Sequence, residues 1–248
     1  MDFKELSLKM GANMYNASAQ PQMTEDQEET YGFIFNLDGA VIDTASHRVA
    51  AWQKVLAERN IKRQPQEIVT QCYGSGSEIA CRLMGDRLSE QEIGKIVHRQ
   101  EELFQKDYRA NMQLLQGLKK FLDDAKSLNI PMALTCDSSL ALMNFLIEGL
   151  ALKSYFKVIV GAEDVDRGRP SPDILLKASL RLGLLPEECV VFDSSESGIE
   201  AAQRAGVRVL TIQPRPDTTK KKPSNLMQKI ADYRILQPAL AYSYSKIN

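Results

Sequence analysis

FIFNLDGAVIDT, Phe33 to Thr44, decides how the rest of the chain is read. Gly32 to Phe35 is a short apolar run of strand type that empties into a polar Asn-Leu-Asp-Gly turn. A helical pattern starts directly behind it, since Asp43 to Asn60 places Val49, Trp52, Val55 and Leu56 at helical spacing. A strand that hands a polar loop to a helix is how α/β proteins present ligand-binding side chains. Here the first polar side chain of that loop is the neutral amide of Asn36.

From Asn60 to about Met112 the pattern stays helical with polar breaks, and Ser89 followed by Glu92 forms a capping box. After that the period changes. Helix GLKKFLDDAKSLN, strand IPMALT, helix LALMNFLIEGLAL, strand FKVIVG, helix SPDILLKASLRLG, strand CVVFDS, helix GIEAAQRAG and strand VRVLTI follow one another. Strands alternating with helices predict a parallel sheet covered on both faces. With the first strand this gives an α/β chain of Rossmann-like, doubly wound type, five strands in all, with an all-helical subdomain inserted behind strand one. The expected boundaries are a flexible polar tail at 1–29, an α/β core at 30–45 and 113–236, a helical cap at 46–112 and a C-terminal tail at 237–248. KKKPSN (220–225) reads as a loop, ADYRIL (231–236) as a short last or edge strand, and Leu140, Leu142, Phe145 and Leu146 as core.

Composition narrows the function classes. The 248 residues are 44% hydrophobic and 25% charged with a formal net charge of -1, so neither a nucleic-acid nor a membrane partner is expected. No apolar run approaches the roughly 18 residues that span a bilayer, and no secretory signal is evident. The expectation is a soluble protein of the cytoplasm or of an organelle interior such as the plastid. Cys72, Cys81, Cys136 and Cys189 lack CxxC spacing, which suggests neither a disulfide framework nor a zinc site. Cys136 reads as a passive thiol, His98 as a solvated helix residue, and Lys220 to Lys222 as a solvated loop.

Ligands of such sheets bind beyond the carboxyl ends of the strands. The residues there are Asn36-Leu37-Asp38, Thr135, Gly168-Arg169-Pro170 and Asp193-Ser194-Ser195. Four stretches, FIFNLDGAVIDT, MALTCDSS, EDVDRGRPSPDILLKA and VVFDSSESGIEAAQRAGV, resemble the haloacid dehalogenase (HAD) superfamily in order and spacing. The closer resemblance is to its beta-phosphoglucomutase-like phosphatases with a helical cap, over about residues 31–235.

The resemblance implies a chemistry. In the family the first Asp of a DxD pair attacks phosphorus, and the second is general acid and base. A Ser or Thr holds a phosphoryl oxygen, a Lys neutralises charge, and an acidic pair after the fourth strand helps to hold Mg²⁺. Carried over, Asp38 matches the acid/base and Thr135 the phosphate-binding hydroxyl. Asn36 stands at the nucleophile position, Arg169 at the Lys position, and Asp193-Ser194 replaces the acidic pair, so Mg²⁺ binding is expected to be weak or absent. A phosphorylated small molecule is the expected ligand, with Arg169 and Thr135 as its phosphate contacts. In the helix after strand one, Arg48 stands where the mutase branch has a His, His47 precedes it, and the Arg that grips a second phosphate is replaced near Ser77; mutase activity is disfavoured. GSGS (74–77) reads as a helix–helix turn rather than a phosphate cradle.

Two function classes stay open. One is a catalytically impaired pseudophosphatase that binds a phospho-ligand or serves as an interaction or scaffold module, with a protein partner. The other is an active phosphatase on a small monoester, such as a sugar phosphate or a riboflavin-pathway intermediate, working by a variant mechanism.

Overall fold

A computed structural model of the protein describes residues 31–85, 87–212 and 226–243. Strand β1 (Gly32–Asn36) is buried along its whole length, and its Phe33, Ile34 and Phe35 are fully enclosed. An uninterrupted apolar strand is required where both faces of a parallel sheet are covered. β1 pairs in parallel with β2 (Met132–Thr135) on one side and β4 (Cys189–Phe192) on the other. With β3 (Val158–Val160), β5 (Arg208–Ile212) and β6 (Leu226–Ile230), the described residues form a six-stranded parallel sheet of order β3-β2-β1-β4-β5-β6. The strand order reverses direction at β1, so the chain leaves β1 and β4 toward opposite halves and opens a crevice between their exits.

Four helices following β1 form the insertion: α1 (Ala45–Glu58), α2 (Pro65–Gln71), α3 (Gly76–Met84) and α4 (Glu90–Tyr108). They share an apolar cluster of their own, in which Val49, Trp52, Val55 and Leu56 meet Ile68, Ile79, Leu83 and Ile96. The capping box is formed: the Ser89 N–H donates to Glu92 Oε2 (2.9 Å) and the Glu92 N–H to Ser89 Oγ (3.4 Å). Ser75 and Glu78 make the same box at the start of α3, so the carboxylate of Glu78 takes the N–H of Ser75 (2.6 Å); Gly74 and Ser75 turn between the helices, while Gly76 and Ser77, expected in that turn, open α3. Four further helices, α5 (Leu118–Ser127), α6 (Leu140–Gly149), α7 (Asp173–Leu182) and α8 (Glu196–Ala205), cover the sheet. One face carries Phe33, Phe35, Phe121 and Phe192, with Phe35 stacked on Phe192 at 4.5 Å; the other carries Ile34, Val191, Ile174 and Ala201.

Three expectations require correction. Leu140, read as core, begins α6 on its outer side and is 53% exposed, while Leu142 and Leu146 are enclosed and Phe145 is half-buried. Ala231–Leu236 is not a strand: the sixth strand precedes it, and the segment turns inward at Tyr233. Tyr233 is buried beneath the loop after β1, donating its hydroxyl to Ala40 O (2.9 Å) and its N–H to Gln116 O (3.0 Å). The stretch expected as a tail from 237 contains helix α9 (Pro238–Ser243), whose Tyr242 stacks on Tyr31 at 3.9 Å. Residues 1–29, 220–225 and 244–248 lie outside the described residues.

The Tyr233 hydroxyl satisfies a buried carbonyl of the loop that carries Asp38. Tyr233→Phe is therefore expected to cost about 1–2 kcal/mol in urea unfolding, because Ala40 O would be left dry and unpartnered. An unchanged midpoint would show that water replaces the hydroxyl.

Candidate functional site

The exit of β1 is shaped by Gly39, whose φ of +103° suits glycine, and by the Ser194 hydroxyl, which stands where a Cβ at Gly39 would be. The turn directs Asn36, 6% exposed, and Asp38 toward the crevice. Asn36 Nδ2 donates to Asp38 O at 2.7 Å. One carboxylate oxygen of Asp38 accepts the Thr44 N–H (3.2 Å), and the other forms an ion pair with Arg48 Nε at 2.5 Å. Arg48 comes from α1, spans the crevice, and also donates to Thr44 Oγ1 (3.1 Å) and Ser138 Oγ (2.8 Å). Burial works against its charge, but Asp38 and then Cys136, Cys72 and Glu101 outweigh burial and raise its pKa. His47, one residue earlier, turns away from the crevice to Asp107 (2.7 Å) and the ring of Tyr108.

On the other side of the crevice Arg169 is 1% exposed and lies between two carboxylates. Its Nε donates to Asp137 Oδ2 at 2.7 Å, and Nη1 donates to Asp193 Oδ2 at 3.1 Å and to Thr135 Oγ1 at 3.5 Å. Burial opposes the guanidinium charge, and Asp137 and Asp193 more than compensate, so its pKa rises. Burial pushes the Asp193 carboxyl up, while Arg169, Ser195 and the Asn36 side chain pull it back down. The second oxygen of Asp193 accepts both the N–H and the hydroxyl of Ser195 at 2.8 Å. Thr135 is fully buried and donates its hydroxyl to Phe35 O (3.2 Å). Of the two residues expected as phosphate contacts, Thr135 therefore turns its hydroxyl to the β1 backbone and Arg169 lies between two carboxylates.

The residues that the strand exits bring together enclose a cavity of about 80 Å³, lined among others by Asn36, Asp38, Arg48, Asp137, Ser195 and Ser197. A larger hollow of about 670 Å³ lies elsewhere, against Gln53, Asn60 and Arg63 of the helical insertion. Asp137 and Glu101 were not singled out in the sequence. Glu101, 7% exposed, reaches from α4 to the start of α6, where its two oxygens accept the N–H (3.1 Å) and the hydroxyl (2.5 Å) of Ser139. The available signal for Asp137 was a carboxylate two residues past a strand end, facing a loop that carries an arginine. Cys136 and Cys72 border the same cavity; burial raises the pKa of the first and pushes the second up to about 11, so both stay protonated thiols at neutral pH.

The donor set does not fit Mg²⁺. Such an ion requires carboxylates and keeps several waters. Asn36 and Ser194 are neutral, Asp193 and Asp137 already share a guanidinium, and among the described residues no group of three or more His, Cys, Asp or Glu is arranged to hold a metal.

Comparison with known proteins agrees with this architecture. Residues 33–212 match the family described as haloacid dehalogenase-like hydrolase. The chain is 28% identical over 190 residues to fructose-1-phosphate phosphatase YqaB of Escherichia coli, covering 75% of this chain and 98% of that protein. It is 30% identical over 181 residues to a phosphorylated carbohydrates phosphatase of Thermotoga maritima, covering 70% and 81%. The fold superposes on crystalline beta-phosphoglucomutase of Clostridium difficile with a TM-score of 0.75 at 20% identity, over 87% of this chain and 97% of that one. With four helices inserted after β1 and the strand exits meeting at the reversal of the sheet order, the chain belongs to the haloacid dehalogenase-like hydrolase family.

Proposed function

We propose that this chain is a catalytically impaired member of its family, a pseudophosphatase that receives a phosphorylated small molecule and does not hydrolyse it. The observation that carries this reading is the end of β1, where the side chain at the crevice is the amide of Asn36 and the carboxylate of Asp38 is ion-paired with Arg48. An amide is no substitute for the carboxylate that forms an acyl phosphate. A water activated by Asp38 would have to recover its barrier without a covalent step, from a carboxylate held at 2.5 Å by a guanidinium.

The ligand class is drawn from the relatives, whose names refer to fructose 1-phosphate and phosphorylated carbohydrates. The geometry sets a condition on it. Small-molecule pockets commonly measure about 300–1,000 Å³, and the cavity here is about 80 Å³. Entry of a sugar phosphate requires α1 to move outward and Arg48 to exchange Asp38 for a phosphate oxygen. Affinity is therefore modest, and Arg48 is the group that meets the anion.

Asp38→Asn removes the competing carboxylate while keeping its shape, so affinity for inorganic phosphate in EDTA is expected to rise about tenfold, the effect of roughly 1.4 kcal/mol. Isothermal titration calorimetry of the full chain reads this directly. A fall in affinity on Asp38→Asn would overturn the exchange, and a strict Mg²⁺ requirement for phosphate binding would overturn the metal-free pocket. Interaction with a protein partner is the companion reading. The retained carboxylate of Asp38 at the cavity wall is what favours the alternative, slow turnover by a variant route.

A further inference from the structure

The charges around Arg169 call for a cation whether or not the pocket binds phosphate. Asp137 and Asp193 direct one oxygen each at the same guanidinium, at 2.7 and 3.1 Å. The side chains of Arg169 and Asp193 are both 1% exposed, and that of Asp137 is 20% exposed. Two carboxylates this close to each other and this poorly hydrated are stable only with positive charge between them. The loop that delivers the guanidinium is fixed by packing: Gly168 lies against Gly74 and the Ser75 N–H of the turn before α3, with no room for a side chain. Arg169 Nη2 and Asp137 Oδ1 are buried without a partner in the protein, so the cluster is not a closed set of hydrogen bonds.

We propose that Arg169 is the resident cation of this site, doing for Asp137 and Asp193 what a divalent ion would otherwise do. The native chain consequently takes up no divalent cation here, because an entering ion meets a fixed positive charge and two carboxylates already neutralised. Removing that charge unmasks a hydrated cation site of a kind that Mg²⁺ or Mn²⁺ accepts, with Asp137 and Asp193 as its anions.

The test is thermal unfolding of the full chain in EDTA and in millimolar MgCl₂. The native protein is expected to melt within about 1 °C of the same temperature in both, since only an ion that binds the folded state raises the midpoint. Arg169→Met is expected to melt about 10 °C lower in EDTA and to recover about 5 °C or more with Mg²⁺. Arg169→Met combined with Asp193→Asn is expected to lose the response to Mg²⁺. A native midpoint that climbs by about 5 °C with Mg²⁺, or a single variant indifferent to the ion, would overturn the proposal. Should Arg169→Met fail to fold, the electron paramagnetic resonance of Mn²⁺ mixed with native protein decides: an undiminished free-ion signal supports the proposal, and its loss contradicts it.

Discussion

Arg169→Ala lowers the stability of the folded chain by about 3–5 kcal/mol, a shift of roughly 10 °C in melting temperature for a chain of this size. The magnitude follows from what is left behind. Asp193 would remain fully buried with its Ser195 contacts but without a cation, and Asp137 would lose its 2.7 Å partner. Exposed ion pairs elsewhere are no guide to this cost. Lys119–Asp123 and Arg99–Glu58 lie in solvent, where such pairs contribute about 0–1 kcal/mol. A double-mutant cycle separates the interaction from the loss of packing. Arg169→Ala with Asp193→Asn is expected to be less destabilising than the sum of the single changes by about 1–3 kcal/mol. Additive single effects in urea unfolding would show that the guanidinium stabilises through packing alone.

Much of the sheet was legible because its physics is local. The enclosed run at Gly32 to Phe35, the alternation of strands with helices after 113, and the Ser89–Glu92 cap depend on neighbours in sequence, and each points to the element observed. The order of the strand exits carried further, since it placed Asn36, Asp38, Thr135, Arg169 and Asp193 at one end of the sheet. What those side chains touch was not legible. Arg48 meets Asp38 and Ser138, and Glu101 meets Ser139, across sequence distances that no periodicity reports. Thr135 carries the expected hydroxyl at the expected place, yet its donor goes to Phe35 O. Tyr233 belongs to a segment whose alternation suggested a strand, and its buried hydroxyl, matched to Ala40 O, makes it a plug instead.

If the chain is impaired as proposed, three changes made at once are expected to give it turnover: Asn36→Asp, Ser194→Asp and Arg169→Lys. The first returns a carboxylate to the end of β1, the second adds an anion beside Asp193, and the third exchanges the broad guanidinium for a compact ammonium. Single changes are expected to do little. A carboxylate at 36 without the other two would add a further negative charge near Asp193 with no ion to offset it. The triple variant is expected to release phosphate from fructose 1-phosphate in a Mg²⁺-dependent manner, about a hundredfold or more above the native chain. Adding Arg48→Ala to the triple variant should raise KM for fructose 1-phosphate, because the guanidinium proposed to meet the phosphate is then missing. A triple variant that folds, binds Mg²⁺ and remains silent would mean that the obstruction lies in the closed cavity and not in the substituted side chains.

Steady-state phosphate release by the purified native chain, with fructose 1-phosphate and Mg²⁺, is the direct test of the proposed pseudophosphatase. The expected result is a rate indistinguishable from that of heat-inactivated protein at every enzyme concentration, because the crevice presents an amide at Asn36 and a carboxylate at Asp38 that Arg48 has already taken. Release that scales with enzyme concentration, at about 1 s⁻¹ or above, would show an active phosphatase and require a nucleophile other than Asn36.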